Sequence, residues 1–147
     1  MNTLGFLALL VACGSNNDDN PFLGTWTYAS GGSEVMDCDR DELDDTTVPV
    51  GSWALLAGTD ADVETEANAP CSAIQFDVSD RVATAKAGQS CTDSEQGITQ
   101  TTNYTSYTLT LDAAGTTLTE SMQGTYTAQG PIVVSCTLVR TATSTRP

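Results

Sequence analysis

The chain has 147 residues, 19 acidic side chains against 5 basic ones, a formal net charge of −14 and no histidine. An acidic excess of that size keeps a small domain soluble and repels nucleic-acid phosphates and anionic headgroups, so no nucleic acid is expected as a partner. The missing histidine excludes Ser-His-Asp and Cys-His nucleophile systems, histidine-ligated zinc and the usual general base near neutral pH. A non-enzyme without cofactors is expected, with carboxylate-based catalysis as a remote alternative.

Thr3 to Ala12 is almost wholly apolar. A helix of that length falls far short of the ~30 Å hydrocarbon core but suits the apolar part of a secretory signal. It ends Leu10-Val11-Ala12-Cys13, which resembles the lipobox of bacterial lipoproteins. The resemblance implies cleavage before Cys13 and acylation of its sulfur and its new amine, and several acyl chains make a stable membrane anchor. Residues 1–12 are then a lipoprotein signal peptide and residues 13–20 the lipid-attachment cysteine with a flexible polar tether (GSNNDDN at 14–20). Residues 21–147 form one domain. In such lipoproteins an Asp after the cysteine favours retention at the inner membrane. Gly14 stands there, so the expected address is the cell envelope, at the outer membrane.

From residue 21 onward Thr, Val, Tyr and Gly dominate without helical periodicity. Strands are expected at 23–30 and 33–38, and an acidic run, EVMDCDRDELDD, follows at 34–45. Asp37, Asp39 and Asp41 alternate there as a weak calcium candidate. Glu42 and Val48 stand where a helix–loop–helix calcium loop needs glycine and glutamate, so a solvated loop and no metal is the default. Further strands are expected at 51–58, 72–79, 81–87, 99–112, 116–127 and 131–142. Alternation puts Ile74, Phe76 and Val78 on one face, then Tyr107, Leu109 and Leu111, then Leu118, Glu120, Met122 and Tyr126, then Val134, Cys136, Leu138 and Arg140. One-sided strands with short turns make an antiparallel meander, and closing it removes its edges. The expected fold is all-β, a small antiparallel up-and-down barrel of about eight strands, with an open β-sandwich as the alternative.

Cys38, Cys71, Cys91 and Cys136 remain once Cys13 is acylated, an even number that reads as two disulfides. Cys71 and Cys91 are equidistant from Arg81 in the turn between two strands, which pairs them and leaves Cys38 with Cys136. Glu120 points inward by parity and is expensive to bury alone, so Arg140 is its expected partner.

Finally, GTWTY at 24–28 opens the first strand and TLVRTA at 137–142 lies in the last. Together they resemble the lipocalins and related calycin barrels. The resemblance implies that Gly24, Trp26 and Arg140 close one end of the barrel, the arginine lying across the indole. It also implies a carrier of a small apolar ligand, faced by Phe76, Leu109, Leu111, Glu120 and Met122. Set against it is the favoured expectation of a non-catalytic interaction or structural module. That module meets another envelope protein through exposed loops and a patch around Trp53, and meets the membrane only through its lipid.

Overall fold

The computed structural model of the protein describes residues 20–146. The lipobox with Cys13, the signal segment and nearly all of the tether lie outside the described residues.

Alternating, Thr-rich sequence builds strands because branched and aromatic side chains fit a half-buried pleated surface. They are β1 (Gly24–Tyr28), β2 (Ser33–Cys38), β3 (Asp45–Thr47), β4 (Ser52–Ala57), β5 (Val63–Thr65) and β6 (Gln75–Ser79), followed by β7 (Val82–Ala85), β8 (Ser90–Glu95), β9 (Ile98–Leu111), β10 (Thr117–Gln129) and β11 (Val133–Thr145). All eight expected strands are present. Sequence reading missed β3, β5 and β8 because DTT, VET and SCTDSE carry almost no apolar alternation.

Antiparallel pairing runs β1–β4–β5–β6–β7–β9–β10–β11 and returns to β1 through Thr27 opposite Thr145 and Tyr28 opposite Ser144. This is a closed eight-stranded antiparallel barrel. The sandwich alternative fails because β1 leaves no edge between itself and β11. The three long strands continue past the barrel. There β2 takes over from β1 along β11, and β8 takes over from β7 along β9. A six-stranded sheet, β8–β9–β10–β11–β2–β3, therefore stands as a half-wall beyond one mouth.

A bulge marks the junction. Gln123 faces Ser106 while Gly124 faces Tyr104, so Thr105 is the extra residue and the inward parity of β9 switches from odd to even numbers. A Cβ on Gly124 would sit 2.5 Å from the Asn103 carbonyl oxygen, so only glycine fits.

The other end is plugged. Asn20 turns the chain by accepting from the Phe22 N–H at 3.0 Å, and Phe22 accepts the Trp26 indole N–H at 2.9 Å. Phe22, Trp26, Leu55, Val63, Phe76, Leu109, Leu111, Leu118 and Met122 form one buried cluster. Burying a side chain of this size stabilises by roughly 1.5–3 kcal/mol. The arginine expected over Trp26 is corrected. Arg146, not Arg140, lies 4.5 Å from the Trp26 ring and donates to the carbonyls of Pro21 and Leu23. Register explains it. Thr27 faces Thr145, so Arg146 falls at the level of Trp26, whereas Arg140 lies several residues further along β11. Gly24 is also required for a different reason than close approach. Its φ is +121° and nothing surrounds its Cβ position, so the need is conformational.

Both expected disulfides are present, Cys38–Cys136 and Cys71–Cys91. Cys38 and Cys136 are directly opposed on β2 and β11 and anchor a second small cluster with Val134, Met36, Tyr126 and Ala128. Cys91 lies on β8, which pairs with β9 rather than with β6. Cys71 reaches it from the loop after β5, so the pairing was right although the expected strand-to-strand geometry was not.

Candidate functional site

At the unplugged end, where barrel gives way to half-wall, the inward positions change from aliphatic to polar and aromatic. On β10, Leu118 and Met122 flank Glu120, whose exposure is only 1 %. Glu120 Oε1 accepts the Tyr107 hydroxyl at 2.7 Å and Arg140 Nη1 at 3.2 Å. Arg140 also binds Glu34 through Nε and Nη2. The sequence expectation of a Glu120–Arg140 pair holds, and parity alone could not have added Glu34. It sits opposite Arg140 only because β2 replaces β1 as the neighbour of β11 at this level.

The network holds the protons of its donors more tightly. Burial alone would lower the Arg140 pKa, but the charges of Glu120 and Glu34 outweigh it and raise the value. Burial, then the charge of Glu120 and the hydrogen bond to it, push the Tyr107 phenol well above its ordinary value. Tyr28 is pushed up to about 12, again by burial first and then by Glu120, with Arg140 opposing. Glu120 Oε2 accepts no hydrogen bond from the protein. Two carboxylates against one guanidinium leave this centre net negative.

Above the network opens a cleft of about 540 Å³, with Arg140 and Tyr107 at its base and Tyr28, Trp53 and Ile74 among its walls. Tyr28 follows Trp26 by two residues and so shares its inward face; Trp53 is directly opposite Trp26 on β4. The Tyr28 and Trp53 rings stack with centroids 6.0 Å apart, and the indole N–H is spent on Ser144 Oγ at 3.2 Å. An adjoining cleft of about 570 Å³ reaches from Thr65, Glu66, Asn68 and Ile74, which the two share, to Tyr104 and Gln89. The loop between β5 and β6 divides them. It is held by Cys71–Cys91, by Ile74 N–H donating to Thr65 Oγ1 at 2.9 Å and by Gln75 N–H donating to Gln89 Oε1 at 2.7 Å.

The remaining site expectations are corrected. Phe76, Leu109, Leu111 and Met122, expected to face a ligand, are 0–4 % exposed and packed in the barrel core, and neither mouth cleft is lined by them. Their inward parity was right, but the barrel is narrow enough for its own side chains to fill it. Glu120 lies with them, committed to Tyr107 and Arg140. Asp37, Asp39 and Asp41 do not converge. Asp37 lies outward on β2, Asp39 Oδ1 accepts the Ser135 N–H at 3.2 Å and Asp41 starts a short 3-10 turn. Among the described residues no group of three metal-ligating side chains comes together. Trp53, expected in an exposed patch, is half-buried in the mouth instead.

Fold and site thus define a small closed antiparallel barrel, plugged at one end and open at the other to an aromatic-walled cleft whose charged lining residues are Glu66 and Arg140. No family model, curated protein or solved structure matches the chain.

Proposed function

We propose that the protein is a lipid-anchored, non-catalytic binding module of the bacterial cell envelope that engages its partner through the open end of the barrel. The observation that carries this reading is the contrast between a barrel packed solid around Trp26 and a roomy cleft, walled by Tyr28, Trp53 and Ile74, above Arg140. Volumes of this order are typical of specific binding sites. The solid core speaks against the calycin alternative of a small apolar ligand carried inside, although the meander order and the Trp26–Arg146 contact are the features a lipocalin-like barrel would have. The absence of histidine and the engagement of Glu120 and Glu34 by Arg140 favour binding over carboxylate catalysis.

Attachment through Cys13 predicts a mature N-terminus carrying acyl chains, read directly by mass spectrometry. Photo-crosslinking in intact envelopes tests the recognition face. A benzophenone side chain at Ser52 or Asn68, on the cleft rim, gives a discrete adduct, and one at Ser121, on the outer face of β10, gives none. Adducts only from Ser121 would reverse the assignment.

A further inference from the structure

Resting on the open-end reading, we infer that the cleft takes an organic ammonium ligand, a small cation whose nitrogen is alkylated. Three features of the site converge on that class. The walls are aromatic: Tyr28 and Trp53 stack against each other and Tyr107 lies at the base, so the cleft is bordered by ring systems of the kind to which a cation is attracted. The charges around the cleft are acidic in sum, although Arg140 is among its lining residues. Arg140 is matched by Glu34 and Glu120 with one negative charge left over, Glu66 on the rim adds another, and the whole chain carries −14. An anionic ligand would enter against that field, whereas a cation is drawn in.

The third feature separates alkylated from primary ammonium groups. A primary ammonium presents three N–H donors and needs acceptors for them. Below this cleft Glu34 and Glu120 are engaged by Arg140 and Tyr107, with only the buried Oε2 of Glu120 left over, the Trp53 indole is a donor already used, and Glu66 is the one carboxylate that lines the cleft itself. A methylated nitrogen spreads its charge over carbon, needs no acceptor and packs its methyl groups on Trp53 and Ile74. Choline is the simplest probe, and 3,3-dimethylbutan-1-ol is its neutral isostere with the same shape.

The experiment is a calorimetric titration of the full-length protein, disulfides intact, with each probe. Choline binds, the isostere binds about tenfold more weakly or less, and Trp53→Ala weakens choline by about tenfold or more. Glu66→Gln weakens it by only about two- to fivefold, as befits a rim charge. Val133→Thr, on the half-wall, leaves it unchanged. Equal binding of choline and isostere, both lost in Trp53→Ala, overturns the cationic assignment while the open-end reading stands. Choline binding that survives Trp53→Ala overturns both. No binding of either probe overturns the ammonium inference alone, because the rim crosslinks judge the open-end reading independently.

Discussion

The two ends of this barrel are held together by different physics. At the plugged end the chain buries Phe22, Trp26, Leu55, Leu111 and Leu118 in one continuous cluster, and Arg146 pins the entering segment. At the open end three long strands run on into a sheet whose outer face leaves Val133 at 62 % and Val139 at 43 % exposure. Its own apolar cluster is small and built around Cys38–Cys136. Burial suffices where the sheet closes on itself. Where it opens, a covalent link and an ion network take over, and that same opening leaves Tyr28 and Trp53 lining a cleft.

Breaking the link and breaking the plug therefore have different signatures. Replacing Cys38 and Cys136 by serine opens a loop with a sequence separation of 98, for which the chain-entropy model gives a loss of about 4.7 kcal/mol. Hydrogen exchange should place that loss first in β2, β3 and the hairpin between β10 and β11, with β4 to β7 still protected. Trp26→Ala costs about 3–5 kcal/mol by cavity formation and lowers protection around the whole barrel.

Removing Arg140 strands Glu120 in the interior. Arg140→Met should cost about 3–5 kcal/mol in denaturant unfolding, and adding Glu120→Met should restore most of it. A single substitution as costly as the pair would show that packing, not charge, holds this level. At the junction, Gly124→Ala forces the backbone of Asn103 aside and costs about 1–3 kcal/mol.

The pH dependence follows from the raised tyrosines. A phenol with a folded value above its unfolded value of 10 binds its proton more tightly in the folded state. The stability it contributes is thus present below pH 10 and declines from there toward Tyr28's value of about 12. Unfolding midpoints should fall across that window, and less steeply in Tyr28→Phe. The smallest effect belongs to the half-wall surface, where Val133→Thr should stay within about 0.5 kcal/mol.

Much of the plugged end was legible in the sequence. Parity alone placed Phe76, Leu109, Leu118 and Met122 inside, and each is buried. Away from that end, the cysteine pairing was also reached, although through a strand geometry about Arg81 that the structure does not have. The open end was not legible, because what defines it is long-range. That β2 displaces β1 beside β11 brings Glu34 to Arg140, and nothing local in SEVMDC announces it. The arginine over Trp26 was misassigned because two arginines lie near the end of the chain, and only register with β1 distinguishes them. Trp53 was expected in an exposed patch and Tyr28 was given no role, because no sequence pattern says which end of a barrel stays open.

The two tryptophans are cross-strand neighbours that report on adjacent layers, one fully buried in the core and one half-buried in the cleft wall. With both replaced biosynthetically by 5-fluorotryptophan, fluorine NMR gives one resonance for each, assigned with Trp53→Phe. Adding choline should move the Trp53 resonance well beyond any movement of Trp26, its cross-strand neighbour. A shift at Trp26 with Trp53 unmoved would mean that the ligand enters the barrel and that its interior is not the solid core on which the account depends.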